Sequence, residues 1–194
     1  MKRFRRYPLV LGLLMSLQAL LPASARAAYE TPDYRIVCAD GAFEIRDYPS
    51  LTVVSAPMTH RGSDGAFMKL FRFIEGRNDR SEKIAMTTPV LMTGTESGTM
   101  SFVVPRAVAE HGVPSPSNPD LTVTTKPAAR FAAYRYSGST KPAAAEAAAK
   151  KLLGWVSGKG LKAEGAPIFA YYDPPWTLWF LRRNEVLVRL PQAG

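Results

Sequence analysis

Apolar and polar residues alternate strictly along Phe43-Glu44-Ile45-Arg46-Asp47-Tyr48, the period of two that marks a strand with one face in a core. Pro49-Ser50 follows as a turn, and the β-branched run 51–58 returns as a second strand. Upstream, 34–38 reads as a strand too. After Gly62-Ser63-Asp64-Gly65, where Ser63 or Asp64 can cap a helix, the period changes. Phe67, Leu70, Phe71 and Ile74 fall at i, i+3, i+4 and i+7, an apolar helical stripe that Gly76 ends. Residues 90–93 and 100–104 read as strands. The stretch 107–120, with Gly112, Pro114, Pro116 and Pro119, reads as a loop.

The second half replays this order. Residues 121–125 and 131–136 are predicted strands around Pro127-Ala128, and 142–156 is a predicted helix with Thr140 as cap and Pro142 in its first turn. Glu146 and Lys150 are spaced to pair on its outer face. Residues 167–172, 177–181 and 185–190 are further strands. Pro49 and Pro127, Pro89 and Pro167, and Phe102 and Phe180 are each 78 residues apart. This spacing suggests a diverged duplication, with repeats at about 34–105 and 119–191. Two βββα-type halves side by side predict an α+β domain: a curved, mainly antiparallel sheet or distorted barrel flanked by two helices.

The N-terminus has a different character. Lys2, Arg3, Arg5 and Arg6 precede a short apolar run, 9–21, and Ala25-Arg26-Ala27 offers a signal-peptidase site, so 1–27 is expected to be a secretory leader. Its removal leaves residues 28–194 as one domain and lowers the formal net charge from +9 to +4, because five basic residues and no acids leave with it. The case for nucleic-acid binding weakens accordingly. An exported chain is expected in the periplasm or outside the cell, with no membrane insertion after cleavage, as a monomer. Cys38 is the only cysteine, so no internal disulfide is available, and its strand context suggests a half-buried, inert thiol.

Catalytic chemistry finds little support. Beyond the leader the histidines are His60 and His111, too far apart in sequence for a zinc motif, and no nucleophile–base pattern or phosphate loop occurs. Asp40, Glu44 and Asp47 read as the polar outer face of a strand. The remaining material is an aromatic interior with scattered basic groups. Phe67 and Phe71 on the first helix, with Lys69 and Arg72 on adjoining faces, could wall an apolar slot with charge at its rim. Periodicity alone favours plain core packing for that stripe.

Two clusters sharpen the reading: Gly76-Arg77-Asn78 with 83–90 (Lys-Ile-Ala-Met-Thr-Thr-Pro-Val), and Tyr172-Asp173-Pro174-Pro175-Trp176 with 182–186 (Arg-Arg-Asn-Glu-Val). Together with Phe43–Tyr48 they resemble the SOUL/haem-binding-protein family, over about residues 34–190. The resemblance implies a non-enzymatic binder of haem or another porphyrin, held reversibly in a groove beside the first helix. Carried onto this chain it implies Phe67, Phe71 and Trp176 as walls and Arg72 as a propionate partner. A family histidine proposed as iron ligand is Asp47 here, and a basic residue near the Pro-Pro turn is Thr177, so capture is expected to be largely hydrophobic. His60, ahead of the helix, is the candidate replacement ligand. The marker clusters themselves are expected to serve turns and strand starts. The alternative is an envelope module that binds an effector or peptide in the same groove.

Overall fold

The computed structural model describes residues 29–59, 65–95 and 97–191. The expected leader and His60 lie outside them. Nine strands form one antiparallel sheet: β1 (Arg35–Asp40), β2 (Phe43–Tyr48), β3 (Leu51–Met58), β4 (Val90–Thr93), β5 (Gly98–Val103), β6 (Thr122–Lys126), β7 (Ala129–Tyr136), β8 (Glu164–Tyr171) and β9 (Asn184–Leu190). Their order is β1-β2-β7-β9-β8-β4-β5-β3-β6. Three helices accompany them: α1 (Ala66–Ile74), α2 (Arg106–His111) and α3 (Pro142–Gly158). The expected α+β class holds. The barrel does not, because β1 and β6 end the sheet without pairing to each other.

The sheet is nevertheless curled. Pro49-Ser50 joins β2 to β3, and Pro127-Ala128 joins β6 to β7, yet each pair lies six places apart in the sheet. Flat, those strands would stand about 29 Å apart at ~4.8 Å per strand. Three peptide steps reach only about 11 Å. The two short links therefore fold the halves towards each other, leaving a concave face on one side and a convex face on the other.

The duplication is written into the register. In the β4–β8 ladder Val90 pairs with Tyr171 and Thr93 with Ile168, so a shift of 78 maps the ladder onto itself. The same shift exchanges the pairs Val53–Thr124 and Phe131–Arg46. β5 and β9 depart from it: Val53 pairs with Val103 but Phe131 with Arg189, an offset of 86. The cause is length, since four residues join β4 to β5 and twelve join β8 to β9. Eight extra residues sit in the segment containing the Pro-Pro turn. Phe180 is thus no counterpart of Phe102, whose place in β9 is taken by Val188. The expected strand at 177–181 is instead a turn of 3-10 helix, Trp179–Leu181.

Most of the core lies on the convex side. Val186, Val188 and Leu190 of β9 alternate towards the helices and join Val54, Phe102, Leu152 and Phe169 in one cluster. α1 buries Ala66, Leu70, Phe73 and Ile74, each large side chain contributing about 1.5–3 kcal/mol. This stripe shares Leu70 and Ile74 with the one expected from sequence but is rotated, leaving Phe67 and Phe71 at 42% and 37% exposure. Both sets satisfy helical spacing, so periodicity cannot choose between them. α3 begins at Pro142 without a side-chain cap from Thr140, and Glu146 accepts a hydrogen bond from Thr95 on the β4–β5 turn at 3.0 Å. Residues 107–111, expected as the start of a loop, belong to α2 instead. Cys38 is exposed rather than half-buried, as is every residue of edge strand β1, whose Asp40 reaches α3 by accepting from Trp155 and pairing with Lys159.

Candidate functional site

α1 packs on β3 and β5, and α3 on β7 and β9. The sheet order leaves β8 and β4 between them, a strip about two strands or 10 Å wide. The rotational setting of α1 follows from two contacts. Lys69 forms an ion pair with Asp120, in the segment leading into edge strand β6, at 3.0 Å. Phe67 meets Phe102 of β5 edge to face, with ring centroids 5.5 Å apart. At 100° per residue, Phe67 and Phe71 stand about 160–200° around the helix from Lys69. They therefore face the strip between the helices. Their rings stack at 6.0 Å, 13° from parallel. Met68, 46% exposed, lies beside them.

On the other side of the strip, α3 supplies Ala149, Lys150 and Leu153, which with Pro167 and Phe169 of β8 line a recess of about 660 Å³. The Thr95–Glu146 bond closes the end of the strip nearest the β4–β5 turn. The opposite end is set by register. Phe102 pairs with Val90 and Val90 with Tyr171, the last residue of β8. The twelve-residue β8–β9 connection therefore leaves the sheet on the row where Phe67 sits.

That connection is firmly braced. Arg182 donates from its side chain to the carbonyls of Thr177 and Pro175 at 2.8 and 2.6 Å. The Arg183 amide donates to Asp173 at 2.5 Å, and the Gly138 amide to the Trp179 carbonyl at 3.1 Å. Its apolar side chains point outward: Trp176 is 83% exposed, and Leu178, Trp179, Phe180 and Leu181 are each more than half exposed. An exposed apolar cluster of this size is unusual on a soluble surface and marks a place of contact.

The sequence candidates are thus partly brought together. Phe67 and Phe71 form one wall, and Trp176 belongs to the segment at the end of the groove, although no ring contact ties it to the pair among the described residues. Arg72 stands about 100° beyond Phe71 around the helix and lines a separate shallow recess with Lys69, Arg77 and Asn118. Sequence gives Lys150 only as a partner for Glu146, and gives no site role to Leu153 or Leu178–Leu181. The duplication could have exposed the last group, because those residues have no counterpart in the first half.

The marker clusters serve the fold, as expected. Asn78 is buried after α1, its amide donating to the carbonyls of Phe73 and Glu82 while its oxygen accepts from the amides of Arg80 and Glu82. The Thr87 hydroxyl donates to the Val103 carbonyl at 2.6 Å, and the Asn184 amide to the Gly138 carbonyl at 3.2 Å. Glu185 is fully buried on the concave side, where Arg46 and Arg183 donate to it at 2.6 and 2.7 Å and Tyr172 at 3.0 Å. Burial works to raise its pKa, but the two guanidinium groups prevail and hold it below the usual carboxylate value. Burial pushes the Tyr48 phenol up to about 12. Asp47 is held low, first by Arg130 and then by Arg35.

No cluster of three metal-ligating side chains occurs among the described residues, and no helix among them is long and apolar enough to cross a membrane. The profile of the family described as SOUL heme-binding protein matches residues 29–189. No curated protein matches significantly. Among solved structures, the C-terminal domain of EcmrR is similar over 82% of this chain and 99% of its own, at 12% identity and a TM-score of 0.57. A hydrolase from Listeria innocua is similar over 80% and 94%, at 8% identity and a TM-score of 0.55. An uncharacterized conserved protein from Listeria innocua is similar over 85% and 93%, at 10% identity and 0.53. At these identities the likeness is one of fold.

Proposed function

The chain belongs to the SOUL heme-binding protein family, and from that premise we propose that it binds haem or a related tetrapyrrole, without catalysis, in the groove between α1 and α3. The observation that carries the reading is the Phe67–Phe71 pair: two stacked rings left partly open to solvent on the flank facing the groove. A porphyrin needs a flat apolar wall, and covering the part of each ring that is still exposed, 42% and 37%, stabilises a complex by about 1 kcal/mol each. Leu153 supplies the facing wall, and the braced segment carrying Trp176 and Trp179 closes the end.

A porphyrin also brings two propionates. Arg72 lies around the helix from the aromatic flank, so Lys150, which lines the recess on α3, takes the role of propionate partner in this reading. When bound, haem would supply its own iron chemistry. The chain's part is to shield and orient the ring. His60 is the proposed axial ligand by its place in sequence, and Met68 on the same flank is the second candidate. An exported carrier of this kind would buffer or hand on the pigment in the envelope.

Titration of purified protein with hemin tests the reading. A saturable Soret shift with tryptophan quenching at micromolar ligand supports it, with affinity lowered at least tenfold in Phe71→Asp. Equal binding by wild type and Phe71→Asp moves the site elsewhere.

A further inference from the structure

The concave face holds a second cavity. It lies on the side of the sheet away from the helices and shares no lining residue with the groove between them. Its inner end, of about 110 Å³, is walled by Leu51, Leu91, Phe131, Ile168 and Leu187, with Tyr48 and Tyr172 at the back. It opens into a wider part of about 630 Å³ whose floor turns to hydroxyls, among them Ser55, Ser101, Thr93 and Thr124. Val53, Leu91, Phe131, Ile168 and Lys126 line both parts, so they form one cleft. Its walls are only partly closed: Leu91, Phe131 and Ile168 are half-buried around a small cluster of Ala133, Ala170 and Leu187.

The charges around this cleft are committed with one exception. Glu185 behind the inner end is neutralised by Arg46 and Arg183. Towards the wide end, Asp120 is paired with Lys69, and Arg189 with Glu164. Lys126 sits at the junction of the two parts, exposed, with no carboxylate partner among the described residues. An ammonium beside an apolar slot selects an anion with an apolar body. The chain's own first described segment borders the slot. Glu30 accepts from the Thr88 amide at 2.9 Å and from the Arg106 amide at 2.8 Å. Pro32 lines the inner end, and Tyr34 packs on Tyr48 at 5.1 Å.

We propose that the concave cleft binds a small amphipathic carboxylate, its apolar body between Leu91, Phe131 and Leu187 and its carboxylate on Lys126. This site is independent of the porphyrin groove and stands or falls separately.

Calorimetric titration with octanoate, octanol and octyltrimethylammonium tests it, with a hemin titration of each variant run in parallel. Octanoate is expected to bind saturably and more tightly than the alcohol, and the cation not to bind. Lys126→Glu should weaken octanoate about tenfold, and Leu91→Trp, which fills the slot, should abolish binding, with hemin affinity unchanged in both. Amide shift mapping of wild-type protein with octanoate gives a reading that needs no variant: shifts at Leu91, Phe131 and Leu187 support the site. Absence of saturable octanoate binding, equal affinity for the cation, shifts confined to α1, or displacement of hemin by octanoate would overturn it.

Discussion

Arg46 on β2 and Glu185 on β9 are 139 residues apart in sequence and joined by two hydrogen bonds, of 2.6 and 3.3 Å, that reach across the intervening strand β7. Both side chains are essentially excluded from water. Breaking such a pair on one side is costly even though Arg46 also donates to Glu44 at 2.6 Å, because Glu44 is partly exposed and leaves the buried guanidinium only partly compensated. Glu185→Gln keeps the shape and removes the charge, and should destabilise the fold by about 3–5 kcal/mol. Urea unfolding measures this; a loss under 1 kcal/mol would mean that Arg46 finds other compensation.

The same carboxylate sets a pH dependence. Its pKa is depressed in the folded state, so its contribution is fully present above the unfolded value of about 4.3. That contribution is lost as pH falls through the lower folded value. Asp47, also depressed, acts in the same direction. The urea midpoint of wild type should therefore be flat from pH 7 to 5 and fall below pH 4. In Glu185→Gln the fall should be shallower. An equally steep fall in both would assign acid sensitivity to other groups.

Phe71 and Phe73 are two residues apart on α1 and differ in burial, 37% against 1% exposed. Phe73→Ala should cost about 3–5 kcal/mol, the range for emptying a packed core position. Phe71→Ala should cost under 1 kcal/mol while weakening hemin about tenfold or more. Thermal melts and hemin titration of both variants check the rotated face of the helix.

The eight-residue excess in the β8–β9 connection predicts a separable element. Removing 174–181 leaves a four-residue link, the length that suffices between β4 and β5. The Asp173–Arg183 bond can persist across it. The shortened protein should keep its far-ultraviolet circular dichroism and a cooperative melt, and lose most hemin affinity. Trp176→Ala alone should weaken hemin several-fold with little effect on stability, given its exposure.

Much of the fold was legible because strand alternation and the 78-residue spacing are local patterns that the sheet preserves. Pro49 and Pro127 mark the two links that force the curl, and the β4–β8 ladder obeys the spacing residue by residue. The site was less legible. Phe67 and Phe73 both satisfy helical periodicity with Leu70 and Ile74, and only the tertiary contacts of Lys69 and Phe102 settle which faces the groove. Thr177–Leu181 has the composition of a strand and reads as one from sequence alone. Its backbone bonds close within the loop and to Gly138, which holds its rings in water. The propionate role of Arg72 comes from the family resemblance, and one helical step of 100° separates Arg72 from Phe71. The concave cleft leaves no local trace, since its walls come from eight strands, β2 to β9, joined only by register.

The most direct test is amide and methyl shift mapping with a diamagnetic analogue, gallium protoporphyrin, on the folded protein. The account predicts perturbations concentrated on Phe67, Met68 and Phe71 of α1, on Lys150 and Leu153 of α3, and on 176–181. Perturbations centred on Leu91, Phe131 and Leu187 of the concave face, with α1 unmoved, would contradict it.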